Sequence, residues 1–129
     1  MFLSIAGTVG KPCITNMKCC IHDGFVYFPR WRGDSRFLYY VFASGEPYKG
    51  LGKMGTQLNL NTDTVGSIVV GIPSLYEQTS IADYLDAETG ALDALIGTIE
   101  TAVKSLSELR HALAISAVTG SIDVREVVE

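Results

Sequence analysis

Short apolar runs separated by glycine and polar residues fill the first half of the chain. Four of these runs are rich in aromatic and β-branched side chains, a composition typical of β-strands. The predicted strands cover residues 2–6, 13–15, 24–28 and 67–72, and the last is expected to be buried. Asp34 precedes apolar residues at helical spacing, which makes it the expected N-cap of a helix from residue 35 to about residue 43.

The second half has the pattern of a long helix. Ser74 and Glu77 follow Pro73 at the spacing of a capping box, in which each residue satisfies a backbone amide of the other. From residue 92 onward, apolar residues recur at alternating steps of three and four, which is the a/d pattern of a coiled coil. This heptad seam consists of Leu92, Leu95, Ile99, Ala102, Leu106, Leu109 and Leu113.

The heptad seam requires a packing partner. At the rise of an α-helix it is roughly 32 Å long, more than a domain of this size covers comfortably. We therefore expect it to pack against another chain, with packing inside the chain as the alternative. Gly90 predicts a bend or break at residues 86–90, and Gly120 predicts the end of the helix. The pattern as a whole predicts an α+β fold, in which a small β-rich domain precedes a long coiled-coil-type helical region.

The net charge of −4 is unevenly distributed. Residues 1–74 hold seven Lys/Arg against four Asp/Glu, a balance of +3, and residues 75–129 hold three against ten, a balance of −7. Only the front half could approach nucleic-acid phosphates favourably, and its polar amides could contact base edges. The candidate DNA contacts are Lys11, Arg30, Arg32, Arg36, Lys49, Lys53, Gln57 and Asn59. An ordinary solvated surface is the alternative interpretation of these residues.

No pattern typical of catalysis or of a bound cofactor occurs in the sequence. Gly7 to Lys11 looks like a phosphate-binding loop, but only two residues separate its glycines and Pro12 follows the lysine. The two histidines have no nucleophile partner, and the three cysteines match no zinc or disulfide spacing. We expect a non-catalytic protein without cofactor or metal. Since we find neither a signal peptide nor a membrane-spanning apolar run, we expect a cytoplasmic protein with reduced thiols.

Residues 72–78 (Ile-Pro-Ser-Leu-Tyr-Glu-Gln) combine a leading proline, the capping box and a Glu-Gln pair. This segment is similar to the one that opens the conserved helical region in the specificity (S) subunits of type I restriction-modification systems. The resemblance is strongest over residues 72–125 and looser over residues 1–71, where it concerns the target recognition domain. The other similar segments are residues 4–11, 55–60, 81–86, 92–96 and 117–125.

The resemblance implies a DNA-recognising subunit that carries no chemistry of its own. In that family, two target recognition domains each contact one half of a split DNA site, and two helical regions pack as an antiparallel coiled coil that docks the methyltransferase (M) subunits. The implied domains are a partial target recognition domain (1–73), a helical conserved region (74–120) and a C-terminal tail (121–129). The expected partners are DNA, the M subunit and a second copy in a homodimer through the long helix. The restriction (R) subunit is a further candidate partner, and no membrane is involved.

The chain differs from a full family member, because it has one helical region and about half of one recognition domain. Two hypotheses follow. The chain is a shortened relative that recognises DNA and pairs with itself, so that the homodimer reproduces the two-fold layout of a full subunit. Alternatively, it is a truncated fragment that acts only as a coiled-coil oligomerisation module and binds no DNA.

Overall fold

The computed structural model describes residues 1–7, 9–51 and 60–126. Its strands and helices are β1 (Phe2–Ser4), β2 (Pro12–Cys13), β3 (Phe25–Tyr27), α1 (Ser35–Ala43), α2 (Thr62–Gly66) and α3 (Leu75–Val118), with short 3₁₀ turns at Glu46–Tyr48 and Val124–Glu126. The chain divides into two compact units, Met1–Asp86 and Ala87–Glu129. The predicted α+β class is confirmed.

A small antiparallel sheet with strand order β2-β1-β3 organises the first unit. Leu3 lies opposite Val26 on β3 and Pro12 on β2, and its side chain is completely buried. The apolar face of the sheet packs against apolar residues of α1 and α2, and this contact removes the side chains of both surfaces from water. This core consists of Leu3, Val26, Leu38, Phe42, Leu60 and Val65.

Helix α1 has the bounds that the sequence predicted. The carboxylate of Asp34 accepts a hydrogen bond from the backbone N–H of Arg36 at 2.7 Å, which is the geometry of an N-cap. Phe37, Leu38 and Phe42 are buried along one face. The apolar spacing and the cap were therefore sufficient signals for this helix.

The prediction of a strand at residues 67–72 was wrong. This segment is assigned neither strand nor helix, and Val69 within it is 94% exposed. The preceding residues form α2 instead, with Asn61 as its N-cap, whose side chain accepts from the N–H of Thr64 at 2.7 Å. A short apolar run cannot by itself specify a strand, and Val65 of α2 supplies the core contact that the strand was expected to make.

Helix α3 begins and ends as the sequence predicted. At its start, the N–H of Ser74 donates to the carboxylate of Glu77 at 2.9 Å, and the N–H of Glu77 donates to the hydroxyl of Ser74 at 3.3 Å. The Ser74 hydroxyl also donates to the Glu77 carboxylate, at 2.6 Å, and this bond contributes most to lowering the pKa of Glu77, followed by the bond from the Ser74 N–H. After its end, Gly120 has a φ of 73°, and the N–H of Ser121 donates to the carbonyl of Ser116 at 2.9 Å.

Of the bend or break predicted at residues 86–90, the break does not occur, since α3 continues through Gly90, and the bend stays a prediction. A single glycine in a helix costs only about 1 kcal/mol relative to alanine, so good helix formers on either side can carry the helix through it. Within the described part of the chain, no helix is long and apolar enough to span a membrane.

Candidate functional site

Arg30 and Arg32 lie on the loop between β3 and α1, on either side of Trp31, and both are exposed. Trp31 packs against the hydrophobic core, its indole N–H donates to the carbonyl of Asp34 at 3.2 Å, and its backbone N–H donates to the carbonyl of Phe28 at 3.3 Å. The anchored tryptophan therefore holds two exposed guanidinium groups on a defined loop. Together with Trp31, they line one pocket with Gly33, Ile72, Leu75 and Gln78.

Lys11 and Lys49 lie on two loops that contact each other. The hydroxyl of Tyr48 donates to the carbonyl of Gly10 at 3.0 Å, so the residues preceding the two lysines are joined directly. Both lysines are exposed, and Lys49 forms an ion pair with Glu46 at 2.6 Å. Burial raises the pKa of Tyr48 to about 12, which keeps its hydroxyl protonated as a hydrogen-bond donor.

Three predicted DNA contacts, Lys53, Gln57 and Asn59, lie outside the described residues. All three cysteines are free and exposed. Across residues 1–7, 9–51 and 60–126, no group of His, Cys, Asp or Glu side chains has an arrangement that could hold a metal ion.

Arg36, the remaining predicted DNA contact, lies at the centre of a cluster of acidic residues. Its guanidinium donates to Asp83 at 2.7 Å, to Asp86 at 2.8 Å and to Asp34 at 3.2 Å. The hydroxyl of Tyr40 donates to the second oxygen of Asp86 at 2.6 Å. We refer to these five residues as the Arg36 cluster, and it joins α1 to the first three turns of α3.

The Arg36 cluster favours a structural role for Arg36 over the predicted phosphate contact. Three carboxylates surround one guanidinium, so the cluster carries a net negative charge that would repel a phosphate. The hydrogen bond to Asp83 contributes most to raising the pKa of Arg36, followed by those to Asp34 and Asp86. The sequence could not indicate this, because the two aspartates on α3 lie 47 and 50 residues away along the chain.

The heptad seam lies along α3 with its side chains exposed. Each of its six leucine and isoleucine residues exposes more than half of its surface, from 52% for Ile99 to 65% for Leu106. Exposed apolar side chains in a continuous row are typical of an interaction surface. The charged residues Asp93, Glu100, Lys104 and Glu108 occupy heptad positions on the opposite face of the helix.

Residues 2–105 match the family model described as the type I restriction modification DNA specificity domain. The chain belongs to this family. The match includes the loops that carry Arg30, Arg32 and Lys49 as well as the first half of the heptad seam. No solved structure matches the chain.

The structure gives a physical role to the Glu-Gln segment of this specificity domain. Glu77 completes the capping box, and Gln78 is 97% buried. The side chain of Gln78 accepts from the N–H of Asp34 at 3.0 Å and donates to the carbonyl of Pro73 at 2.8 Å. Gln78 therefore connects the start of α3 to the N-cap of α1 and to the proline that precedes the helix.

Sequence reasoning missed the role of Gln78 and that of Gly33. A Cβ atom at Gly33 would collide with the side chains of Gln78 and Trp31. The absence of a side chain at Gly33 therefore allows both side chains to lie close to the backbone of the loop. Gln78 was part of a noticed motif, but its bond to Asp34 spans 44 residues and has no local signal. Sequence spacing alone does not indicate contacts of this kind.

The Arg36 cluster predicts that acid destabilises the first unit of the specificity domain. Burial raises the pKa of Asp34, but the N–H and guanidinium of Arg36 lower it by more, and the Tyr40 hydroxyl and then Arg36 lower the pKa of Asp86. A carboxylate whose pKa in the folded protein lies below the ordinary value of 3.8 stabilises the fold above about pH 3.8. This stabilisation is lost as the pH falls through the pKa of the folded state.

Urea unfolding followed by the fluorescence of Trp31, the single tryptophan, tests this prediction between about pH 6 and about pH 3. The protein is expected to lose stability over this interval. Arg36→Met should be less stable at the higher pH and should lose less on acidification, because three carboxylates without their cation repel one another until they are protonated. Arg30→Met is the matched control and should behave like the unchanged protein. An equal acid loss in Arg36→Met would contradict the role of the cluster.

Proposed function

We propose that this specificity domain contributes DNA-sequence recognition and assembly to a type I restriction-modification complex, without catalysing a reaction itself. The observation that carries the proposal is the family match, which covers both the basic loops of the first unit and much of the exposed heptad seam. Methylation and cleavage would then belong to the M and R subunits. Because its target would be DNA inside the cell, we place the protein in the cytoplasm.

Two groups of exposed cations are the proposed DNA contacts. Arg30 and Arg32 form the first group, and Trp31 fixes the position of their loop. Lys11 and Lys49 form the second, on loops joined by the bond between Tyr48 and Gly10. Guanidinium and ammonium groups on positioned loops bind phosphates and orient a protein on the duplex. Lys53, Gln57 and Asn59 remain proposed contacts, with the two amides assigned to base edges.

The helical region is the proposed assembly surface. The heptad seam is continuous and exposed, and the back half of the chain has a charge balance of −7, which disfavours a second DNA-binding surface there. We assign residues 1–73 to DNA recognition, residues 74–120 to pairing with a second copy and to docking of the M subunit, and residues 121–129 to a tail. The R subunit would join through the assembled complex.

Substitution of the two arginines tests DNA binding. In Arg30→Ala/Arg32→Ala, we expect the affinity for a random-sequence DNA duplex at low salt to fall by about 10- to 100-fold, because two phosphate contacts are lost. The slope of log affinity against log salt concentration should become shallower by up to about 2. Fluorescence anisotropy with a labelled duplex measures both quantities.

Lys104→Ala is the matched control for this experiment, since it removes a cation from the polar face of α3 and should leave DNA binding unchanged. A double variant that binds as tightly as the unchanged protein would exclude this loop as the contact surface.

A second candidate function is assembly alone, in which the chain pairs through the seam and binds no DNA. The exposed seam favours it, because pairing needs no contribution from the basic loops. Absence of binding to any duplex by a protein that still dimerises would support this second function over the first.

A further inference from the structure

Two charged residues of opposite sign lie on the seam side of α3. When the alternating steps of three and four are continued from Leu92 toward the N-terminus, the next seam position is occupied by Glu88. Near the other end, Arg110 follows Leu109 and lines a pocket on the helix surface with Val103, Leu106 and Ser107. Both charged residues are exposed, and within the described residues neither forms an ion pair inside the chain. The other charged residues from 87 to 118 occupy the opposite face.

We propose that Glu88 and Arg110 determine the orientation in which the heptad seam pairs with a second copy of this chain. The inference rests on the proposed pairing and names the residues that direct it. In an antiparallel pair that matches the exposed seam along its length, Leu92 faces Leu109 of the second copy and Ile99 faces Ala102. Glu88 then lies within about one helical turn of Arg110 of the second copy, and the symmetry of the pair repeats this contact at the other end.

The parallel orientation has the opposite electrostatic consequence. It would place Glu88 directly opposite Glu88 of the second copy, so that two carboxylates meet at a surface from which water is partly excluded. Arg110 would then lie far along the pair from both carboxylates and could not neutralise them. An ion pair at the edge of a seam adds little affinity by itself. Its main effect is to disfavour the wrong orientation, as charged flanking positions do in coiled coils.

Charge reversal in the full chain tests the proposal by analytical ultracentrifugation. Glu88→Arg should raise the dimer Kd about tenfold or more, because each end of the pair then brings two cations together. Arg110→Glu should have a similar effect. The double variant Glu88→Arg/Arg110→Glu should restore the Kd to within about threefold of the original, because the ion pairs form again with exchanged signs.

Glu100→Arg is the matched control, since it makes the same charge change on the opposite face and should leave the Kd unaltered. If Glu88→Arg dimerises like the unchanged protein, or if the double variant is not restored, this inference is overturned while the proposed pairing stands. If the unchanged chain is monomeric, the pairing and the inference are both overturned.

Disulfide cross-linking measures the orientation directly. Cys13, Cys19 and Cys20 are exposed and can be replaced by serine, after which Leu92→Cys and Leu109→Cys are prepared as separate proteins with different tags. On mixing and oxidation, the antiparallel pair should give the mixed product that joins Leu92→Cys to Leu109→Cys. Cross-links only between identical variants would show a parallel pair and overturn the inference.

Discussion

Replacement of Ile99 by aspartate is expected to abolish the proposed pairing of the specificity domain and to leave a monomer. Ile99 lies in the middle of the heptad seam, and each copy would place one carboxylate among apolar side chains. The lost apolar burial and the desolvation of two charges together should weaken the dimer about a thousandfold or more. Light scattering across a dilution series measures the dimer Kd of the unchanged protein and of Ile99→Asp.

Thr101→Asp is the matched control for Ile99→Asp, because it also replaces a β-branched residue of the same helix by aspartate. Thr101 lies outside the seam, and its hydroxyl donates to the carbonyl of Gly97 one turn earlier in the same helix. This variant should retain the dimer, and circular dichroism should show similar helix content in both variants. A dimer of undiminished affinity in Ile99→Asp would exclude the seam as the pairing surface.

The second large effect is expected at Gln78. Gln78→Met preserves the length and much of the volume of the side chain, but it leaves the N–H of Asp34 and the carbonyl of Pro73 without their partner. Two partly buried backbone groups that lose their hydrogen bonds should lower the free energy of unfolding of the first unit by about 1–3 kcal/mol. Urea unfolding followed by Trp31 fluorescence measures this loss, since the Trp31 indole donates to Asp34 itself.

Ser80→Ala provides the comparison for Gln78→Met. Ser80 is exposed on the same helix, and its hydroxyl bonds to the carbonyl of Tyr76 one turn earlier, so its loss should change the free energy of unfolding by less than about 0.5 kcal/mol. If Gln78→Met unfolded at the same urea concentration as Ser80→Ala, the two bonds of Gln78 would not contribute to the stability of this unit.

Local signals and non-local contacts differed in how well the sequence indicated them. The caps at Asp34 and Ser74 and the end of α3 before Gly120 were predicted correctly, because each depends on residues a few positions apart. The strand predicted at residues 67–72 was wrong, because a short apolar run has no period long enough to distinguish strand from loop. The position of Val65 in the core, which replaced that strand, depends on the packing of the whole unit.

The candidate DNA contacts also show which properties the sequence indicates and which depend on non-local contacts. Arg30, Arg32 and Arg36 look equivalent in the sequence, since all three are cations near one tryptophan. In the structure, the first two are exposed on a loop, whereas Arg36 is bonded to three carboxylates. Charge content can be counted from the sequence, but which cations remain available to a ligand depends on partners that the fold brings together.

The sequence by itself determined the α+β class, the limits of α1 and α3, the heptad seam and the resemblance to a specificity subunit. These features depend on periodicity, on capping within one turn and on motif spacing, all of which act over short distances along the chain. Only the tertiary structure decided the roles of Gln78 and Arg36 and the contact between the loops of Lys11 and Lys49. The bonds of Gln78 to Asp34, of Arg36 to Asp86 and of Tyr48 to Gly10 span 38 to 50 residues, so they form only when packing has brought distant segments together.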